Sequence, residues 1–351
     1  MNNNVVKKVA PALAVLAMAG NWMPADACTR VVYKGLDSLF VVARSLDWKT
    51  PIPTNIYVYP RGIEKQSSNL ANAIHWKSKY GAVYAVGYDG GITEGMNEKG
   101  LVINGLFCKT AIYEKMNADS DKPYMSLSVF VAWLLDNNAT VPEVRAQLEK
   151  RDFRIQGATF DGGTVSTLHW GVTDATGRSM IFEFTGGDLK CYDMEDYRAM
   201  TNDPEWPDMR AIVNYWEKIG GKNMMPGTVT SPDRCVRANY FAHHVQPVAE
   251  TDLGVSIARS VLVNSCVPYT YLVEGEPNLS STQWRSYSDI RDLRYYFEIV
   301  TNPGYYYVDL GKIDLNRKEI YRLDTSKYTE IVGCANKYLE RHKGFSPLYC
   351  S

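Results

Sequence analysis

Residues 29–34 (Thr-Arg-Val-Val-Tyr-Lys) and 39–47 (Leu-Phe-Val-Val-Ala-Arg-Ser-Leu-Asp) are β-rich runs joined by the turn cluster Gly35-Leu-Asp-Ser38, the pattern of a hairpin. With the turn centred between residues 36 and 37, residue 28 lies across from Ser45, and Arg44 and Asp47 fall close to it on the neighbouring strand. A slip of one residue would exchange the faces, so the pattern predicts proximity rather than orientation. Further strands are predicted at 83–88, 91–94 and 101–106. Residues 126–137 read as a helix apolar on most of its faces and therefore buried, with Trp133, Leu134 and Leu135 in the core. A second helix, 141–151, opens on Thr140-Val-Pro-Glu143, a capping box with proline in the first turn. A second β-region covers 169–173, 180–185, 189–192 and 199–201, followed by helices at 209–218, 236–245 and 253–263. The last strands are predicted at 283–289, 294–301 and 305–309. Strand runs, a helix pair, more strands and then helices describe an α+β chain with segregated layers.

The stretch before the hairpin changes what its first residues can do. Residues 1–27 have the form of a cleavable leader: Lys7 and Lys8, an apolar core over 9–20, and small residues at Ala25 and Ala27. A cut after Ala27 would make Cys28 the first residue of the exported chain, with a thiol and a free α-amine on one residue. Such an amine titrates at about 7.7–8.0, near the working pH, where a general base is most effective. Two blander readings of Cys28 stand beside this one: a structural cysteine, or the lipid-bearing cysteine of an exported, non-enzymatic binding lipoprotein. Ala25 and Asp26 are poor flanks for the second.

Composition narrows the rest. With 45% hydrophobic and 22% charged residues the chain belongs with ordinary globular proteins, and a net charge of −1 provides no field for nucleic acid. Past the leader no stretch approaches the ~20 apolar residues of a membrane span. The 24 tyrosines and 8 tryptophans supply surface for an apolar ligand with a polar edge. The seven cysteines, at 28, 108, 191, 235, 266, 334 and 350, form no CxxC pair, which argues against a zinc ribbon or a thioredoxin-type motif and leaves six expected as free thiols. His243 and His244 are neighbours on a predicted helix, so their rings diverge and a shared metal is disfavoured. GxSxG, HExxH, Walker and GxGxxG motifs are missing.

Taken in order, Cys28-Thr-Arg, Ala43-Arg44-Ser-Leu-Asp47, Gly95-Met-Asn-Glu-Lys-Gly-Leu101, Thr201-Asn202-Asp-Pro204, Met225-Pro-Gly227 and Ser231-Pro-Asp-Arg234-Cys-Val-Arg237 make the chain resemble the choloylglycine hydrolase family. That family comprises the bile salt hydrolases and penicillin V acylases among the N-terminal-nucleophile hydrolases. The resemblance implies one catalytic domain over 28–351 with a four-layer αββα sandwich of two antiparallel sheets, often a homotetramer, located in the periplasm or secreted. It implies Cys28 as nucleophile, Asp47 holding the α-amine, Arg44 favouring the thiolate, Asn202 binding the oxyanion and Arg234 as a second active-site arginine. Each role is physically sound: a cation lowers a thiol pKa and an amide N–H donates to developing negative charge. Singly, Arg44 and Asp47 read as a surface ion pair and Asn202 as a turn residue; together they read as a site.

One position departs from the pattern. Bile salt hydrolases usually carry a further asparagine in a Gly-Leu-Asn stretch, where this chain has Gly105-Leu106-Phe107. Phe107 has only a backbone N–H to offer an oxyanion. Asn104 is three places early for that role, and Asn97 reads as a turn residue. Trp48, Tyr88 and Phe107 are the candidates for the acyl pocket. The expected chemistry is hydrolysis of a linear amide with a bulky apolar acyl group, without metal or organic cofactor. Glycine- and taurine-conjugated bile salts are the favoured substrates, with penicillin V and N-acyl homoserine lactones as alternatives.

Overall fold

The computed structural model describes residues 28–349 apart from 115–120, 158, 161–163, 275–278 and 303; the predicted leader and Cys350 lie outside the described residues. In chain order the first strands of the two main sheets are β1 (Thr29–Lys34), β2 (Phe40–Trp48), β3 (Thr54–Tyr59), β4 (Ala82–Gly87), β5 (Gly91–Asn97) and β6 (Val102–Phe107). Helices α1 (Leu127–Asn137) and α2 (Val141–Glu149) follow, then β7 (Leu168–Thr173), β8 (Ser179–Thr185), β9 (Asp188–Asp193) and β10 (Ala199–Met200). Helices α3 (Trp206–Ile219), α4 (Ser231–His244) and α5 (Thr251–Val263) precede β11 (Ser281–Asp289), β12 (Arg294–Ile299) and β13 (Tyr306–Asp309). The chain closes on β14 (Ile320–Leu323), β15 (Gly333–Cys334) and β16 (Glu340–His342).

A seven-stranded sheet runs β10-β1-β2-β11-β12-β13-β15 and a nine-stranded one β9-β8-β7-β6-β5-β4-β3-β14-β16. Pairing is antiparallel except between β13 and β15. Their facing sides share one core, with Val42, Leu46 and Phe297 from the first sheet against Ile56, Val83 and Met96 from the second. On the outer faces, α1 covers β5 and its neighbours while α4 and α5 cover β1 and β2, which gives the αββα order expected. Helix α1 is buried from Leu127 through Asp136, as its all-round apolar pattern requires. Helix α2 is capped as predicted, with the Glu143 N–H donating to Thr140 Oγ1 and the Glu143 carboxylate accepting from Ala139 N. Among the described residues no helix is long and apolar enough to cross a membrane.

The hairpin register differs from the expected one. Thr29, not Cys28, faces Ser45, and Arg30 faces Arg44. The loop takes in Leu39, with Asp37 and Ser38 at φ of 50° and 59° and Gly35 N–H donating to Leu39 O, so pairing starts one residue later. The slip puts the Arg44 side chain on the same, inter-sheet face as Cys28 and sends Asp47 to the other face. Helices α3 and α4 begin earlier than predicted, each with proline in its first turn, which places Arg234 inside α4 rather than before it. Strand β3 escaped the sequence pattern because it is buried on both faces and shows no alternation.

The nine-stranded sheet forks beside Cys28. Strands β5 and β6 are paired only as far as Glu94–Asn104. Beyond that point β6 stays with β7 through Phe107–Leu168, while β5 stays with β4 and carries an extra residue at Thr93, where the register shifts between Ala85 and Val86. Such bulges bend a strand and end its pairing. The fork leaves the inner backbone edge of Gly105 and Phe107 without a neighbouring strand.

Candidate active site

Cys28 precedes β1, and only 4% of its surface is exposed. It lies at the bottom of a cavity of about 130 Å³ that occupies the fork and whose wall includes Leu46, Trp48, Ile92, Thr93 and Phe107. Burial pushes the Cys28 thiol above its usual pKa, against the pull of Arg44, so the resting sulfur is protonated.

Arg44 comes from the middle of β2. Its Nη2 stands 3.9 Å from Cys28 Sγ and donates to Gly105 O at 2.9 Å, while the guanidinium carbon lies 4.6 Å from the Trp284 ring centroid. Its Nε is 3.3 Å from a carboxylate oxygen of Glu94, which is wholly buried. Glu94 also accepts from Tyr295 Oη at 2.6 Å and from Asn104 Nδ2 at 3.1 Å. Asn104 Oδ1 in turn accepts from Arg30 Nε at 2.8 Å. Asn104 is therefore part of a polar row running from Arg30 to the thiol. Glu94 is a site residue that the sequence reading missed, since inside Gly91-Ile-Thr-Glu-Gly-Met-Asn97 it looks like any charged strand residue. Asn97 behaves as a turn residue, accepting from Lys99 N and Leu101 N.

Asp47 lies two residues beyond Ser45, whose hydroxyl donates to it at 3.3 Å. Burial raises its pKa to about 6, against the pull of Arg234, Thr282 and Arg44. Among the described residues its buried Oδ1 has no geometrically good hydrogen-bond partner.

Asn202 and Arg234 reach the same spot from the loop after β10 and the first turn of α4. Asn202 Oδ1 accepts from Cys28 N at 2.6 Å and from Arg234 Nη2 at 2.8 Å, which fixes the amide orientation. Nδ2 therefore points the other way and donates to Phe107 O at 2.8 Å, with its second hydrogen uncommitted by that bond. Arg234 Nη1 donates to Cys28 O and Thr29 Oγ1, both at 2.7 Å. The Cys108 N–H donates to Thr167 O, so Phe107 and Leu168 form a non-hydrogen-bonded pair and the Phe107 N–H points away from β7, towards the fork.

The five predicted catalytic residues thus converge, and Trp48, Tyr88 and Phe107 all line the cavity. The Trp48 and Phe107 rings meet edge to face at 5.4 Å. Behind Asn202, His169 Nε2 bonds Thr201 O at 2.7 Å and Nδ1 lies 3.4 Å from Glu183. Burial works against a charge on His169, but Cys108 and Glu183 outweigh it and hold its pKa up at about 10. No local pattern marks His169, whose partners lie far along the chain. The six cysteines among the described residues are unpaired.

A buried cysteine heading a strand between two stacked sheets, with its backbone nitrogen held by an amide, is the arrangement of an N-terminal-nucleophile amide hydrolase. The family model of linear amide C–N hydrolases of the choloylglycine hydrolase family matches residues 28–323, and the chain belongs to that family. The penicillin V acylase of Pectobacterium atrosepticum is 32% identical over 335 residues, covering 89% of each chain. A bile salt hydrolase/transferase of Clostridium perfringens is 25% identical over 331 residues, covering 86% of this chain and 97% of the relative. Among solved structures, penicillin V acylase from Agrobacterium tumefaciens superposes with a TM-score of 0.84 at 36% identity, covering 92% of this chain and all of that one. A mutant form of the conjugated bile acid hydrolase from Clostridium perfringens shares the fold at a TM-score of 0.71 and 21% identity, over 88% of this chain and 98% of that one. Membership in a hydrolase family makes the chain an amide hydrolase rather than a non-enzymatic binding protein.

Proposed function

We propose that the protein is an exported penicillin V acylase, cleaving the side-chain amide of phenoxyacetyl and similar compact arylacyl amines. This reverses the order of substrates favoured on sequence, where bile salts came first. The observation that carries it is the cavity above Cys28. Its wall is apolar and aromatic, with the Trp48 and Phe107 rings meeting edge to face at 5.4 Å, a surface that suits the flat ring of an arylacyl group. The penicillin V acylase relatives support the same reading, with the higher identities of the pairs compared.

In this reading, removal of residues 1–27 frees the Cys28 α-amine beside Asn202 Oδ1, and the N–H groups of the neutral amine donate to the Asp47 carboxylate. The amine takes the thiol proton as Sγ attacks the substrate carbonyl. The oxyanion is received by the second Nδ2 hydrogen of Asn202 and by the Phe107 N–H. Losing one such donor typically costs about 10²–10³ in kcat. The amine then protonates the leaving nitrogen, the C–N bond breaks, and water hydrolyses the thioester to return the thiol.

The test is an assay of the exported protein on penicillin V, glycocholate and taurocholate, read as release of 6-aminopenicillanic acid, glycine or taurine, with intact mass establishing Cys28 as first residue. The expected result is a kcat/KM for penicillin V at least tenfold above that for either bile salt, abolished in Cys28→Ala with circular dichroism unchanged. Faster bile salt cleavage, or activity in Cys28→Ala, refutes the reading.

A further inference from the structure

After β16 the chain leaves the edge of the nine-stranded sheet and is pinned at each step of a path to the cavity. Phe345 packs against Tyr57 and Tyr59, with ring centroids 5.9 and 6.0 Å away, and its N–H donates to Tyr59 Oη at 3.0 Å. Ser346 N–H donates to Asp89 O and Leu348 N–H to Gly90 O, on the turn between β4 and β5. Leu348 O accepts from Ser126 Oγ at 2.9 Å, the residue that caps α1. Tyr349 Oη donates to Gln66 O at 3.0 Å. The segment therefore ties the turn that carries Tyr88 to the start of α1, and the Leu348 side chain lines the cavity above Cys28 together with Leu127 and Ser128. The fit is close: a Cβ on Gly90 would sit 2.8 Å from Leu348 Cγ, so any side chain on that turn would push the leucine from its place.

We propose that residues 345–349 are a specificity element in which Leu348 forms a wall of the acyl site and sets the size of acyl group that fits. The family model stops at residue 323, so this wall is supplied from outside the segment that carries the nucleophile and its partners. Two enzymes with the same catalytic residues can in this way differ in acyl group through a side chain on a terminal strap. The inference rests on the cavity above Cys28 being the acyl site.

Three proteins test it: the exported wild type, Leu348→Ala and Leu348→Phe. Binding of the free acids phenoxyacetate and cholate is measured by titration calorimetry, and kcat/KM is measured for penicillin V and glycocholate. A methylene more or less in an apolar pocket is worth roughly 10–200-fold. For a side chain 42% exposed the lower end applies: Leu348→Ala should weaken phenoxyacetate about tenfold and shift the penicillin V to glycocholate ratio about tenfold towards the steroid. Leu348→Phe should narrow the site and shift the ratio the other way. Thermal melts within a few degrees of wild type exclude a folding defect as the cause. Acid affinities and substrate ratios within twofold of wild type in both variants overturn the proposal, as does failure of wild type to bind phenoxyacetate. If the acids respond as stated but wild type cleaves neither amide, the wall stands and the acylase reading falls.

Discussion

Asp47 is the residue on which the pH profile should turn. Burial holds its carboxyl at about 6, and the ionised form is the one that stabilises the ammonium formed when the Cys28 amine takes the thiol proton. The base form of the Cys28 amine already declines below about 7.7–8.0, so protonation of Asp47 should add a second limb below about pH 6, a further factor of about tenfold per unit in kcat/KM for penicillin V. In Asp47→Asn that limb should vanish along with most of the rate; a wild-type profile that does not steepen between pH 7 and pH 5 would contradict the assignment. Glu94 acts one step further out, as the buried counter-charge of Arg44. Removing one member of a buried pair costs about 3–5 kcal/mol, so Glu94→Gln should lower the urea midpoint markedly; a stability loss under 1 kcal/mol would mean that Arg44 finds its balance elsewhere. The two residues differ in how visible they are in the sequence. Arg44 and Asp47 lie on a hairpin with Cys28, and a local pattern brings them together. Asn202 and Arg234 are 174 and 206 positions from Cys28, and only family resemblance connects them. Glu94 had neither signal.

At the scale of elements, the sequence predicted most strands and all five helices among the described residues, because apolar periodicity and caps are local. What it placed wrongly was register and helix starts, where one residue of loop geometry or one first-turn proline decides. The fork between β5 and β6 was invisible for a related reason: a bulge at Thr93 depends on two neighbouring strands at once. Gly105 shows how tightly the fork is set. A Cβ there would lie 3.1 Å from Thr93 O and 3.2 Å from Trp170 Nε1, so β6 would have to shift by a few tenths of an ångström. Gly105 O is also the acceptor for Arg44, and Phe107 is two residues on. Overpacking of this kind costs about 1–3 kcal/mol. Gly105→Ala should therefore unfold somewhat more easily yet lose far more in kcat, at least tenfold, than in KM. Unchanged kcat would show that the fork tolerates a wider opening than its contacts imply.

Across the whole molecule, the two sheets and their helices bury phenols against carboxylates, and this sets an alkaline limit of stability. Tyr84, Tyr287 and Tyr295 are at most 1% exposed, and each hydroxyl donates to a carboxylate: Asp136, Glu298 and Glu94 respectively. Burial first, and the facing carboxylate second, hold all three well above the ordinary value of 10. Above pH 10 the unfolded chain releases these protons and the folded chain keeps them. Stability must then fall as pH rises, by about 1.4 kcal/mol per unit for each tyrosine. Between pH 9 and pH 11 the three together should remove roughly 4 kcal/mol, a large share of the about 5–15 kcal/mol that holds a typical protein folded. Urea unfolding at the two pH values measures the loss directly. Absorbance at 295 nm should show a group of tyrosines that ionise only as the protein unfolds. Tyr295 joins this behaviour to the site, because it shares Glu94 with Arg44. Tyr295→Phe should therefore flatten the alkaline loss by about one tyrosine's share, and leave Glu94 one donor short beside the guanidinium that faces the thiol. Parallel loss curves for wild type and Tyr295→Phe would show that this phenol ionises in the folded state after all.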